Sequence, residues 1–149
     1  MHAGFSRRDS LGYLVYRLAH LLSRSLDARL APFGVAIGQF RLLLVLWEKE
    51  DVTQAEIARL VGIEQPTVAI TLKRMERDGL VSFQPDPNDA RRSLTQLTAK
   101  GRALHGALTE EARKNNENAV KVLSVAESLQ FISMARRMID ALEQPGSAD

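Results

Sequence analysis

Apolar residues recur at three- and four-residue steps from Leu11 onward, with Leu14, Val15, Leu18, Leu21, Leu22, Leu26 and Leu30 in one stripe. This period predicts a long amphipathic helix over Ser10–Ala31, capped by Asp9 or Ser10 and stopped by Pro32–Gly34. A second helix, about Gly38–Glu48, carries Phe40, Leu43, Leu44 and Trp47. Thr53–Glu56 reads TQAE, the composition of a capping box: the Thr53 hydroxyl accepts from the backbone N–H three residues on, and Glu56 reaches back. It opens a short helix through Ile57, Ala58, Leu60 and Val61 that ends at Gly62, a residue able to take the left-handed cap conformation. The run EQPTVAITLKRMERDG starts the next helix, with Val68, Leu72 and Met75 on its buried face and Gly79 at its end.

Short helices joined by a tight glycine-containing turn make a helix-turn-helix. After Gly79, Leu80–Gln84 and Ser93–Thr98 are strand-compatible, and the eight residues between them include Pro85, Pro87, Asn88 and two aspartates. That composition predicts a hairpin with a long tip, and a hairpin following a helix-turn-helix makes a winged helix. From Ala99 the helical period returns. Ala103, Leu104, Ala107, Leu108 and Ala112 begin a long helix toward Leu123, and SVAE (Ser124–Glu127) is a second capping box opening a last helix, Leu129–Leu142, before QPGSAD frays. The expected fold is mainly α with a small β-hairpin: a winged helix-turn-helix with an α-helical dimerisation region built from the N- and C-terminal helices. Residues 1–149 form one domain on this reading, with 37–98 as the DNA-binding lobe and 1–36 and 99–149 as the helical region. The leucines outside the lobe exceed what a winged helix needs, which implies a partner, most simply an identical chain.

Composition narrows the chemistry. With 45% hydrophobic residues in 149, the chain can build a core. No apolar run approaches the ~18 residues of a membrane span, and MHAGFSRRDS lacks a signal-peptide stretch, so a cytoplasmic protein with no membrane partner is expected. The absence of cysteine excludes disulfides and thiol nucleophiles. His2, His20 and His105 are scattered without metal-ligand spacing. No serine-histidine-acid arrangement or glycine-rich phosphate loop stands out, so neither a cofactor, a metal nor an enzymatic activity is expected. Net charge is only +2, divided as +3 over residues 1–36 (five basic, two acidic), −1 over 37–98 (eight, nine) and 0 over 99–149 (seven, seven). A nucleic-acid reading must therefore rest on where the cations sit.

Three stretches carry a resemblance to a known family: GIEQPT (Gly62–Thr67), RMERDGLV (Arg74–Val81) and DARRSLTQLTAKG (Asp89–Gly101), the last with an Asp-x-Arg pattern followed by Leu-Thr-x-x-Gly. Together with the element order, they resemble the MarR family of bacterial transcription regulators across almost the whole chain, and GIEQPT resembles the SlyA-like branch in particular. The resemblance implies a homodimer with intertwined terminal helices that binds a pseudo-palindromic duplex, usually as a repressor, until a small ligand releases it. Many members carry a basic residue where Ile70 stands and an arginine where Ala90 stands.

On that basis the helix from Gln65 enters the major groove by its N-terminal end. Gln65 can offer an amide to adenine, Pro66 suits a first helical turn, and Thr67 can meet a thymine methyl or a phosphate. Ala69 and Ile70 can meet thymine methyls but cannot grip guanine, while Thr71, Lys73, Arg74 and Arg77 suit phosphate anchoring. Alternatively, Lys73, Arg74 and Arg77 form a solvated face with Glu76 and Asp78. In the wing, Arg91 is the arginine for a narrow minor groove, Asp89 orients it, and Arg92 meets backbone phosphate. The family's effectors imply a crevice for aromatic carboxylates or phenols. Tyr13, Tyr16, Arg17, His20 and Arg24 on the first helix, with Phe40 and Trp47 on the second, have suitable chemistry, and Tyr13, Arg17, His20 and Arg24 share a face. The alternative reading is a helical dimeric interaction protein of the same fold that has lost DNA binding.

Overall fold

A computed structural model describes residues 5–144 of the chain. His2 and the tail beyond Gln144 lie outside the described residues. Two compact units divide at Arg113/Lys114.

In the first unit, α1 (Leu11–Leu30) starts where expected: Ser10 is the N-cap, and its hydroxyl accepts from the Tyr13 N–H. Ala31–Phe33 forms a single 3₁₀ turn, and Gly34, at φ 71°, turns the chain in the left-handed region where a Cβ is penalised. The helix α2 (Ile37–Glu48) follows, with Phe40, Leu42, Leu43 and Leu46 buried. Next come α3 (Gln54–Val61) and α4 (Gln65–Arg77), which form the helix-turn-helix across Gly62. Val68, Leu72 and Met75 of α4 are fully or almost fully buried, as the period predicts. Both helices end in 6→1 backbone bonds, Ile63 N–H to Ala58 O and Leu80 N–H to Met75 O, the Schellman arrangement. These side chains join Leu30, Val52, Ile57, Leu80, Leu97 and Leu108 in one core. Each fully buried leucine there contributes about 1.5–3 kcal/mol.

The strands β1 (Val81–Asp86) and β2 (Asp89–Leu97) pair antiparallel, and Val52 adds a bridge to Thr95 at the hairpin's root. The expected long tip is replaced by a tight turn at Pro87–Asn88, with the strands running nearly to it. The register explains the difference. Pro85 faces Ser93 but Asp86 faces Asp89, so Ala90, Arg91 and Arg92 bulge out of β2 where the ladder is interrupted. Pro85 has no N–H to give to the ladder, and a bulge at that point strengthens the local twist.

At the hairpin's end Thr98 caps α5 (Ala99–Ala103) by accepting from the Gly101 N–H. The expected continuous helix from Ala103 toward Leu123 is broken at Leu104, and α6 runs from His105 to Val120. Two contacts in this unit meet at the break: the Trp47 indole N–H donates to Gly101 O at 3.0 Å, and the His105 ring stands edge-on to Trp47 at 4.9 Å. The Thr53 box is half formed. Its hydroxyl accepts from the Glu56 N–H, but the Glu56 carboxylate turns to Lys49, which holds its pKa below the ordinary glutamate value.

The second unit contains α7 (Val125–Glu143), opened by a complete box in which Ser124 accepts from the Glu127 N–H and Glu127 accepts from the Ser124 N–H. No single helix among the described residues is long and apolar enough to cross a membrane. Leu11–Phe33 with Ile37–Glu48 passes on length and composition only as a pair bent by 81°, and α2 of that pair supplies core residues.

Candidate nucleic-acid interface

The start of α4 and the bulge of β2 come together. Gln65, Arg91, Arg92 and Ser93 line one open cleft of about 480 Å³ with Thr53, Gln54 and Ala55 from the start of α3. Thr53, Gln54 and Ala55 were not among the residues that the sequence nominates for this interface. The signal was present in the capping box, because the first turn of any helix offers backbone N–H groups without intrahelical partners.

Along α4, Gln65, Pro66, Thr67, Ile70, Lys73, Arg74 and Arg77 are exposed, and Ala69 and Thr71 are half-buried. Glu64 is the N-cap and makes no side-chain cap bond, while Pro66 lies in the first turn. The Thr71 hydroxyl donates back to Thr67 O at 2.9 Å, so its donor is satisfied within the helix. Ile70 is 54% exposed, an uncovered aliphatic group at the middle of the presented face. Residues 65–72 contain no charged side chain, so the cations of α4 are confined to its second half.

On the wing, Arg91 extends into solvent with 91% of its side chain exposed. Its guanidinium meets both oxygens of Asp89, Nε to Oδ1 at 3.1 Å and a terminal nitrogen to Oδ2 at 3.4 Å, and its backbone N–H also donates to Oδ1. Those bonds hold the Asp89 carboxyl below its ordinary pKa. Arg92 pairs with Asp86 at 3.8 Å. At the far end of α4, Arg77 pairs with Asp78 at 3.0 Å, and the Asp78 pKa is lowered by Arg77 first and by Gln39 second. Arg77 thus has one of the two carboxylate partners that the solvated-face alternative names.

A sequence model of the MarR family matches residues 36–93, which take in the helix-turn-helix and most of the wing. The HTH-type transcriptional repressor NicR of Pseudomonas putida is 32% identical over 108 residues, covering 72% of this chain and 68% of that protein. The chain belongs to the MarR family. Among solved structures, the transcriptional repressor CouR bound to a 23-mer DNA duplex superposes with a TM-score of 0.82 at 25% identity, covering 92% of this chain and 99% of that one. BpsR of Bordetella bronchiseptica, whose DNA binding is regulated by 6-hydroxynicotinic acid, matches with a TM-score of 0.85 at 22% identity over 93% of this chain and 99% of that one. With MarR-family relatives named as repressors and a like fold seen on duplex DNA, this chain is a DNA-binding transcriptional regulator.

The residues nominated for an effector divide in two. Tyr13, Tyr16, Arg17, His20 and Arg24 are exposed along α1, and Tyr16 stacks on His20 with centroids 6.2 Å apart. Phe40, by contrast, is 3% exposed and belongs to the core, edge-on to Trp47 at 6.0 Å, so its ring offers no face to a ligand. Trp47 is half-buried, its indole N–H already engaged. No cluster of three or more metal-capable side chains occurs among the described residues.

Proposed function

We propose that the protein is a homodimeric repressor that reads a pseudo-palindromic operator and is released by a small aromatic or phenolic ligand. The observation that carries the DNA part is the shared cleft: Gln65 at the tip of α4 and Arg91 and Arg92 of the wing border one open space. On this reading α4 enters the major groove, where Gln65 reads adenine and Thr67, Ala69 and Ile70 meet thymine methyls. Arg91, held out by Asp89, enters the adjacent minor groove, and Arg92, Lys73, Arg74 and Arg77 hold phosphates. The uncharged first half of α4 favours operators whose central contacts are A·T pairs.

Two observations support dimerisation. Leu11, Leu14, Val15, Leu18 and Leu21 of α1 are at least 39% exposed, and α7 leaves Leu129, Phe131, Ile132, Met134, Met138, Ile139 and Leu142 uncovered. Apolar faces of that kind, on α1 and separately on α7, suit protein interfaces rather than solvent. A second copy would cover them and set two recognition helices about 34 Å apart, one turn of DNA. Residues 37–98 then act as the DNA-binding lobe, with 1–36 and 99–149 dimerising. A carboxylate ligand would meet Arg17 or Arg24, with Tyr13, Tyr16, His20 and Trp47 as the flat walls, and would release DNA by binding the non-DNA arrangement more tightly.

Selection from a random duplex pool at two salt concentrations tests the reading. The expected result is a palindrome whose affinity falls as salt rises. A folded dimer that enriches no motif would overturn it.

A further inference from the structure

Buried polar groups are costly unless satisfied, so a buried glutamine at the start of a core helix needs a reason. Gln39, in the first turn of α2, is 6% exposed and uses both ends of its amide. Its oxygen accepts from the Ala36 N–H at 3.1 Å, closing the N-terminus of α2. Its nitrogen donates to Asp78 Oδ2 at 2.9 Å. Asp78 is the residue at which α4 ends: its own N–H donates to Arg74 O, and the left-handed Gly79 follows at φ 73°. The Asp78 carbonyl also accepts from the Lys100 ammonium at 2.9 Å, while the Thr98 hydroxyl donates to Gly79 O at 2.6 Å. The start of α2, the end of α4 and the start of α5 are therefore joined at one carboxylate-bearing residue. On the other side of α2, the Ile37 N–H donates to Asp27 Oδ1 of α1 at 2.8 Å.

From this junction we infer that Gln39, acting through Asp78, is a positioning residue that sets the pitch of the α4 recognition helix for specific DNA. A helix held in the core by Val68, Leu72 and Met75 can still rock about that line of contacts, and apolar contacts are non-directional. The amide–carboxylate bond is directional and lies at the end of α4 opposite the tip that meets base edges. A small tilt at Asp78 displaces Gln65, thirteen residues and about 20 Å of helix away, by an amount that matters to hydrogen bonds but little to phosphate attraction. Gln39 should thus govern sequence discrimination and leave general DNA attraction alone. The inference rests on the reading of α4 as the recognition helix.

The chemistry of the pair supplies its own test. Gln39→Glu keeps the size but puts an acceptor-only carboxylate against Asp78. Adding Asp78→Asn returns a donor with the polarity reversed, since the new amide can donate to the new carboxylate. The full chain and its Gln39→Glu, Asp78→Asn and double variants are measured on the duplex that the wild type enriches from a random pool, and on an unselected duplex of the same length. The expected result is at least a tenfold fall in the specific-to-random affinity ratio for Gln39→Glu, a smaller fall for Asp78→Asn, and recovery of most of the ratio in the double variant. Random-duplex affinity stays within twofold of the wild type for Gln39→Glu, and within twofold of Asp78→Asn for the double variant, because removal of the Asp78 charge alone frees Arg77 toward any phosphate. A wild-type ratio for Gln39→Glu, or an equal loss with and without Asp78→Asn, would overturn the inference. If Gln39→Glu does not fold, Asp78→Ala must lower the absolute affinity for the selected duplex while random-duplex affinity does not fall, or the inference falls. A wild type that enriches no duplex defeats the recognition-helix reading itself, and this inference with it.

Discussion

A β-carbon on Gly101 has nowhere to go. Gly101 is buried in α5, and an ideal Cβ there would lie 2.3 Å from Leu80 O and 3.1 Å from a Leu97 methyl. The obstacle at Leu80 is backbone, which cannot swing aside as a side-chain tip would, so α5 has to move by at least 0.7 Å to restore 3.0 Å (3.0 − 2.3). That movement pulls on two bonds made by the same residue: Gly101 N–H to the Thr98 hydroxyl at 3.0 Å and the Trp47 indole N–H to Gly101 O at 3.0 Å. Overpacking costs about 1–3 kcal/mol, and weakening one part-buried hydrogen bond adds about 1 kcal/mol. The helix-propensity gain of alanine over glycine returns about 0.5–1 kcal/mol. Gly101→Ala should therefore destabilise by roughly 2 kcal/mol net. Gly106, in α6, is the internal control, because a Cβ there meets nothing within 4 Å and Gly106→Ala should stabilise by about 0.5–1 kcal/mol. Urea unfolding of both variants at one protein concentration gives the comparison. Equal midpoints for Gly101→Ala and wild type would refute the close approach of α5 to Leu80.

In the wing, Arg91→Ala should weaken binding to the selected duplex by on the order of 1–3 kcal/mol without changing the dimer, measured by fluorescence anisotropy and sedimentation; unchanged affinity would remove Arg91 from the interface. Ser124→Ala removes the acceptor that caps α7 and should cost about 1 kcal/mol in a urea titration, while Ser128→Ala, further into that helix, serves as the comparison. The Asp78 and Asp89 carboxyls are held below their ordinary pKa, chiefly by bonds to Arg77 and Arg91. Their contribution to stability is therefore present above the unfolded aspartate value and lost as pH falls through the lower folded one. Melting temperatures should show this as a decline only below about pH 4, and the double variant Asp78→Asn/Asp89→Asn should flatten that acid limb.

Local periodicity and cap chemistry made most of the fold legible. The leucine steps of α1, the Val68–Leu72–Met75 face of α4 and the glycines that end α3 and α4 each state a local preference that the tertiary structure keeps. What failed to show in the sequence depends on partners distant along the chain. The Pro85–Asp89 stretch has the composition of a loop, and only the pairing of Asp86 with Asp89 shows that strand continues to the turn and that Arg91 and Arg92 ride a bulge. Glu56 has the right spacing to complete its box but finds Lys49 instead. The break at Leu104 carries no glycine or proline, and Gln39 reads as an ordinary polar residue of a helix start until Asp78 is opposite it. The Leu-Thr-x-x-Gly pattern was visible as a motif; its cause, a Thr98 cap and a glycine pressed against Leu80 O, was not.

The near-neutral charge of the 37–98 segment also acquires a physical reading. Of its eight basic residues, three that face the proposed DNA surface are matched one to one by aspartates: Arg77 by Asp78, Arg91 by Asp89 and Arg92 by Asp86. Exposed pairs of this kind stabilise the fold little, because solvent screens them. On the proposed reading of this surface, their effect falls on binding. A free arginine loses about 1.5–2 kcal/mol of rotamer entropy on being fixed, and one already held by Asp89 has lost part of that before DNA arrives. The same carboxylates lower the attraction to any phosphate backbone, so random DNA gains less from these cations than a site at which their geometry matches. Charge that is cancelled on the count is in this way redirected from general attraction to fit, which is the balance a regulator needs when competing sites far outnumber its operator.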